Sequence, residues 1–159
     1  MSAALLNKFQ KFISPNQFRH FMNWWPPFKA MAVTVDEISA NFQLIKISMD
    51  LKWYNRNYVG TQFGGGLYAM VDPFYMLMLL KNLGKQFSVW DKSAEIFFKR
   101  QGRGKVFAHF KIEQNLIDHL KSSLAIGEKR DLELVVDIFD DNGEVICVVH
   151  KVIFLKKLT

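Results

Sequence analysis

Leu67–Leu80 reads LYAMVDPFYMLMLL, and Asp72 is its only side chain ionised at neutral pH. The stretch just before it, Asn57-Tyr58-Val59-Gly60-Thr61-Gln62-Phe63-Gly64-Gly65-Gly66, ends in three glycines. An apolar run of this length predicts a helix buried on most of its surface, closed by Gly84 as a C-terminal cap after Asn82-Leu83. A lone carboxylate inside such a helix costs roughly several kcal/mol unless it is hydrogen-bonded, protonated or employed in chemistry. The glycines offer backbone N–H groups with no side chains in the way. Together these features predict a small acid/base site at the head of a buried helix.

The flanking segments read mostly as strand. Lys29–Ser39 and Phe42–Leu51 alternate apolar and polar residues around the turn Ile38-Ser39-Ala40-Asn41, which predicts an antiparallel hairpin. On the other side, Ser88–Arg100 and Lys105–Glu113 flank the turn Gln101-Gly102-Arg103-Gly104. A short helix or crossover over Gln114–Ala125 is closed by Gly127. Asp131–Phe139 and Glu144–Leu155 are joined by Asp140-Asp141-Asn142-Gly143, where Asn-Gly fits a type I′ hairpin turn. The order is therefore two strands, one long apolar helix and four strands. Burying that helix calls for a curved antiparallel sheet wrapped around it, an α+β domain.

Upstream, Leu5, Leu6, Phe9, Phe12 and Ile13 fall at helical spacing, with Lys8 and Lys11 on other faces. Pro15 ends that helix, and Ser14 or Asn16 can cap a second one carrying Phe18, Phe21 and Met22. Such an opening fits helices laid across their own domain, with contact to a membrane surface as the alternative. Trp24-Trp25-Pro26-Pro27 predicts a rigid, extended entry to the main body. The chain divides into an N-terminal helical extension, residues 1–28, and a main domain, residues 29–159.

At 159 residues, half of them hydrophobic and 23% charged, the composition suits a single globular domain and excludes a disordered chain. Fifteen phenylalanines predict a core or channel built largely from aromatic rings. The net charge of +6 and pI near 9.4 fit an acidic carrier protein, a phosphate-bearing ligand, an acidic membrane surface, nucleic acid, or simply many surface lysines. No RNP-type motif or zinc-finger spacing turns that charge into a nucleic-acid partner. Cys147 is the only cysteine, lies in a strand-like run and reads as a buried inert thiol in a reducing compartment. His109 and His150 each lie on a strand with no second ligand at metal-binding spacing, so no metal is expected. The opening MSAALLNKFQ lacks a signal-peptide core, and Leu67–Leu80 is shorter than the ~20 residues that span a bilayer. A cytoplasmic protein without stable membrane insertion is expected.

The Asn57–Asp72 segment resembles hotdog-fold acyl-CoA thioesterases of the phenylacetyl-CoA thioesterase type. Those enzymes carry an Asn, a Gly, a His-Gly-Gly and an Asp nine residues after the His. Asn57, Gly60, Gly64, Gly65 and Asp72 fall on this pattern without a gap, while Phe63 stands where the histidine would be. The chain looks most like a hotdog branch of unknown function with Phe-Gly-Gly and Asp-Pro in these places. The resemblance implies that Asp72 is the general base or nucleophile and that Gly64 or Gly65 N–H stabilises the oxyanion. It gives Asn57 the task of orienting water or the thioester. It also implies a site shared between two subunits, hence a homodimer or a homotetramer, with coenzyme A as part of the substrate and no separate cofactor.

Phe63 would line the acyl pocket and raise the pKa of a nearby Asp72, with Gly60 and Gly66 completing the loop around the substrate. Lys99-Arg100-Gln101-Gly102-Arg103-Gly104-Lys105 puts Arg100 and Arg103 on one hairpin tip, suited to coenzyme A phosphates or an acidic acyl carrier protein, or else a solvated turn.

Simpler readings stand beside these. Asp72-Pro73 suits the N-cap and first residue of a restarted helix, with the Asp72 side chain capping an N–H near Tyr75. Three glycines suit a tight turn and do not meet the GxGxxG fingerprint. Met70, Phe74, Tyr75, Met76 and Met78 line either an acyl tunnel or an ordinary core. The expected function is acyl-CoA or acyl carrier protein thioester hydrolysis. The alternative is a non-catalytic acyl- or lipid-binding hotdog protein, and a third is a structural or nucleic-acid-binding protein whose affinity falls steeply with salt.

Overall fold

The structure is a computed structural model that describes residues 14–159. The helix expected over Leu5–Ile13 lies outside the described residues. Helix α1 (Pro15–Trp24) starts at Ser14, whose hydroxyl accepts the Gln17 N–H while the Gln17 side chain accepts the Ser14 N–H. This reciprocal capping box selects Ser14 over Asn16 as the cap.

Pro26 and Pro27 do not form an extended entry. They open a second helix, α2 (Pro26–Met31), and only Trp25 before them is extended. The first helical turn has no use for the N–H that proline lacks, so the pair starts a helix as readily as it prolongs an extended segment. Helix α2 takes up the start of the expected strand, and Ala32 in a left-handed conformation turns the chain into β1 (Val33–Ile38). Strand β2 (Leu44–Met49) pairs with β1 antiparallel, Val33 opposite Met49.

The central helix is interrupted. It consists of α3 (Gly64–Val71) and α4 (Phe74–Leu83), with Asp72 and Pro73 between them, both in the right-handed helical region. Pro73 has no N–H to continue the ladder, and bonding resumes with Leu77 N–H to the Pro73 carbonyl. Gly84, at φ 72°, closes α4 with its N–H on Leu80 O, the cap expected from the sequence.

After a short 3-10 turn follow β3 (Phe87–Phe98), β4 (Val106–Lys111), helix α5 (Gln114–Ser123), β5 (Lys129–Asp140) and β6 (Val145–Lys157). All pairings are antiparallel, and the six strands lie in the order β1-β2-β4-β5-β6-β3. Strands β3 and β4 are therefore not a hairpin. β3 is a sheet edge, zipped to β6 from Phe87–Lys157 to Phe98–Cys147, and residues 99–105 form a crossover to β4. A glycine-rich turn signal marks a change of direction but does not name the pairing partner, and here the β5–β6 hairpin is inserted between the two.

The β5–β6 turn also differs from the type I′ expectation. Gly143 N–H bonds Asp140 O at 3.0 Å, Gly143 is the residue with positive φ, and the Asp140 side chain takes the N–H groups of Asn142 and Glu144. This is a three-residue loop with a glycine bulge, and the Asp140 carboxylate stabilises it over the two-residue alternative.

The sheet wraps its inward face around α3 and α4. Ile47, Phe110, Ile138 and Val149 meet Met70, Phe74 and Met78 in one continuous core, which also takes Met22 and Phe28 from α1 and α2. Met70, Phe74, Tyr75 and Met78 are core, and Met76 is partly buried against it. The Asn23 side chain holds α1 on β1, accepting the Val35 N–H at 2.7 Å and donating to Val35 O at 3.1 Å.

Two buried acids give the fold a pH signature. Burial, and then the charge of Asp137, pushes the Cys147 thiol and the Tyr75 hydroxyl each up to about 12. Tyr75 donates to Val135 O at 2.7 Å, which keeps it neutral. In an unfolded chain these groups lose their protons near 9.0 and 10.0. Unfolding thus releases protons in that range, so stability is intact below about pH 9 and falls as pH rises toward 12, by about 1.4 kcal/mol per pH unit for each group. The thermal midpoint measured from pH 8 to 11 should drop steadily, and Cys147→Ala should remove the part of the drop that begins near pH 9. A flat midpoint in the wild type would contradict this assignment.

Candidate functional site

The loop before α3 is built around Asn57. Its N–H donates to Thr61 O at 2.9 Å, its carbonyl accepts the Gly60 N–H at 3.0 Å, and Gly60 adopts φ 83°. The Asn57 side chain accepts the N–H groups of Thr61 and Val59 and donates to the Thr61 hydroxyl at 2.9 Å. Its amide therefore organises its own loop. The adjoining Gln62 is buried and couples two loops: its N–H donates to Gly102 O at 2.8 Å and its side chain to Gly104 O at 2.9 Å. The crossover carrying Arg100 and Arg103 is thus fastened beside the glycine-rich segment. Both arginines are exposed; Arg100 pairs with Glu144 and Arg103 donates to Gln101 at 2.6 Å.

At the head of α3, the first helical bond runs from Leu67 N–H to Phe63 O. The N–H groups of Gly64, Gly65 and Gly66 precede the ladder and carry the positive end of the helix dipole. Two rings wall this end. A Cβ on Gly65 would lie 2.6 Å from the Phe63 ring, and one on Gly64 would lie 3.0 Å from the Phe98 ring. Gly66 is buried, and a Cβ on it would lie 3.3 Å from Met31 Sδ. Phe63 and Phe98 themselves are exposed, as are Trp53, Tyr54 and Tyr58 earlier in the same connection. Phe98 belongs to the end of β3, and only the folded chain brings it here.

Asp72 sits at the other end of α3. Its side chain does not cap α4, contrary to the simpler reading: the residue preceding α4 is Pro73, and no side chain caps that helix. Asp72 Oδ1 instead accepts the Tyr68 hydroxyl at 2.8 Å and Lys151 Nζ at 3.1 Å, and the same ammonium donates to the Asp72 carbonyl at 2.8 Å. Asp91 on β3 completes the cluster, its Oδ1 lying 2.7 Å from Lys151 Nζ in an ion pair.

The side chain of Lys151 is 1% exposed, that of Asp91 23% and that of Asp72 47%. Burial works to lower the Lys151 pKa, but Asp91 and then Asp72 outweigh it, so the ammonium is held above its ordinary range. Burial raises the Asp91 pKa against the pull of Lys151, and burial with the bond to Asp72 raises that of Tyr68. Asp72 Oδ2 has no protein partner among the described residues.

Within one protomer the two halves of the expected site lie apart. Asp72 is eight residues beyond Gly64, about 12 Å along a helix. Phe63 is therefore not the neighbour of Asp72 that the sequence suggests; Tyr68, Lys151 and Asp91 are. Tyr68, Asp91, Phe98, Gln62 and Lys151 were not anticipated. His109 and His150 lie edge-on to Phe139 and Phe97, and among the described residues no three His, Cys, Asp or Glu side chains cluster where they could hold a metal ion.

A six-stranded antiparallel sheet wrapped around a central helix that begins in a glycine-rich loop defines the hotdog class. The chain belongs to the family described as "Domain of unknown function (DUF4442)", whose model matches residues 16–155. That match includes α2 and all of α1 but its first residue. Among solved structures the chain is similar to a Pseudomonas aeruginosa protein of unknown function called a probable thioesterase, with a TM-score of 0.81, 16% identity, and coverage of 91% of this chain and 97% of that one. It is similar also to a thioesterase from Haemophilus influenzae, with a TM-score of 0.67, 14% identity and 94% of each chain covered. A mutant thioesterase from Pseudomonas aeruginosa gives a TM-score of 0.66 at 11% identity, over 93% of this chain and 97% of that one. At these identities the likeness establishes the fold. No protein of curated function matches the chain. Among the described residues no helix is long and apolar enough to cross a membrane.

Proposed function

We propose that this protein hydrolyses the thioester of an acyl-CoA or an acyl carrier protein. The observation that carries the reading is Asp72: a carboxylate at the break of the central helix, with Oδ1 held by two donors and Oδ2 without a protein partner among the described residues. Two of the structural neighbours, one called a probable thioesterase and one a thioesterase, point the same way. Asp72 Oδ2 takes the proton of a water whose oxygen bonds to the carbonyl carbon, and collapse of the tetrahedral intermediate breaks the C–S bond and passes that proton to the leaving thiolate. Acting as nucleophile instead, Oδ2 expels the thiolate to form an acyl anhydride that a second water hydrolyses. The carbonyl oxygen, negative in the tetrahedral intermediate, accepts the N–H of Gly64 or Gly65. Asn57 contributes by holding that loop in shape, with Gly60 supplying its left-handed turn.

The separation of about 12 Å argues that the two parts meet across a subunit interface, the helix head of one protomer facing Asp72 of the partner subunit. Strand β3 is the edge available for this, its Lys92–Phe98 half being largely exposed on both faces. A homodimer follows, and pairing of dimers gives a homotetramer. Phe63 and Phe98 wall the acyl group and Gly66 lets α3 approach closely, while Arg100 and Arg103 receive the coenzyme A phosphates. Coenzyme A enters as part of the substrate, no further cofactor is needed, and the reducing cytoplasm is the proposed location.

If this is right, replacing Arg100 and Arg103 together by Ala should raise KM for octanoyl-CoA by about 3–10-fold, in line with partly exposed charge contacts. KM for the octanoyl thioester of N-acetylcysteamine, which lacks the phosphates, should stay unchanged. An equal rise for both substrates would place the arginines elsewhere.

The reading is tested by thiol release from acetyl-, octanoyl- and palmitoyl-CoA, with Asp72→Ala as control. A second reading, a non-catalytic acyl- or lipid-binding protein, is favoured by one observation: the Asn57 amide is taken up by its own loop, and Phe63 offers no hydrogen bond. It predicts binding of the same thioesters with no release.

A further inference from the structure

The residue that fixes Asp72 lies almost eighty positions away, on the inward face of β6. Inward positions there are Cys147, Val149, Ile153 and Leu155, all buried and apolar, and Lys151 stands in the middle of that row. A charged side chain so placed loses its hydration and is tolerated only where partners replace the water. Lys151 has them: the Asp72 carbonyl, the Asp72 carboxylate and the Asp91 carboxylate, with the Tyr68 ring 5.4 Å away. Gripping both the backbone and side chain of one residue limits that residue's rotamers more than either contact alone. The Tyr68 hydroxyl adds a second donor to the same oxygen. Oδ1 is thereby occupied and Oδ2 left for chemistry.

We propose that Lys151 is the positioning residue of this site, a buried ammonium that locks Asp72 at the helix break and presents Oδ2 to the substrate. The proposal rests on the thioesterase reading and adds to it a second charged group, from a different element, on which the rate depends. Lys151 also gives a partner to the backbone carbonyl left open at the break that Pro73 makes. A continuous helix would use the Asp72 carbonyl in its own ladder, and Lys151 takes that carbonyl instead. Asp91, on the edge strand, is the ammonium's second carboxylate and offsets the cost of burying it.

The test is steady-state thiol release from octanoyl-CoA by the full chain. Lys151→Met should lower kcat by about 100-fold, the scale of a displaced catalytic group, with KM changed by less than about threefold. Lys151→Arg, which keeps the charge, should recover about a tenth of the wild-type rate. In an Asp72→Asn background the same Lys151→Met change should alter the residual rate by less than about twofold, since a positioning residue has nothing left to position. A purely structural role would lower the rate in both backgrounds alike. Tyr68→Phe removes one donor from Oδ1 without changing any charge in the cluster. It should lower kcat by about fivefold even if Lys151→Met does not fold.

Wild-type kcat in Lys151→Met or Tyr68→Phe, or equal losses in the two backgrounds, would overturn the proposal while leaving the thioesterase reading intact. Absence of release by the wild type from acetyl-, octanoyl- and palmitoyl-CoA would overturn both.

Discussion

Asp72→Asn is expected to lower kcat for acyl-CoA hydrolysis by about 10²–10⁴-fold, the range for loss of a general base. The amide has the shape of the carboxylate and still offers Oδ1 to the Tyr68 hydroxyl and Lys151, so the helix break should keep its geometry. What it lacks is a basic or nucleophilic oxygen in place of Oδ2. The fold should survive, because Lys151 retains Asp91 as its counter-charge and the Asp72 side chain is nearly half exposed. Binding of acyl-CoA, measured by calorimetry on the variant, should stay within about threefold of the wild type, because the glycine loop and arginines are untouched. A variant with undiminished turnover would remove Asp72 from the chemistry. Loss of binding together with turnover would make it a structural residue.

Phe74→Ala should be the most damaging single change to the fold. Its side chain is fully buried at the start of α4, with its ring 5.0 Å from Phe110 and 5.7 Å from Phe28. It joins the inward face of the sheet to the helices that precede it, so no single element can shift to fill the space. Truncating such a ring costs about 3–5 kcal/mol in lost burial and residual cavity. Against a typical total of about 5–15 kcal/mol, that is a large share. Urea unfolding should show a lower midpoint at an unchanged slope. A loss below about 1 kcal/mol would mean that this aromatic cluster does not bridge the layers.

The order of elements was legible because each carries a local signal. The apolar run, the alternating strands and Gly84 survive in the structure with their ends moved by a few residues. What was not legible depends on contacts made elsewhere. Nothing in Gln101–Gly104 says that β3 will pair with a strand about fifty residues later and not with the next one. The Pro26-Pro27 pair suits both an extended segment and a first helical turn, and packing of Phe28 into the core accompanies the second.

For the candidate site the same division holds. Asp72 stood out as a charge in an apolar run, and its glycine loop through its resemblance to the thioesterase motif. Lys151 gave a signal that went unused. The alternation of β6 puts it on the same face as Cys147, Val149, Ile153 and Leu155, so a buried cation awaiting a carboxylate was readable from period two alone. Asp91 was harder. A bulge between Asp91 and Ser93 breaks the alternation of β3, and sequence pattern does not locate a bulge. Phe98 reaches Gly64 only because β3 runs along the sheet edge toward the helix head.

Thiol release from acetyl-, octanoyl- and palmitoyl-CoA by the wild-type protein, beside Asp72→Asn at equal concentration, tests the central claim most directly. Catalytic release by the wild type that nearly vanishes in the variant is the predicted result. Folded wild-type protein that binds these thioesters yet releases no thiol from any of them would contradict it and leave an acyl-binding hotdog protein in its place.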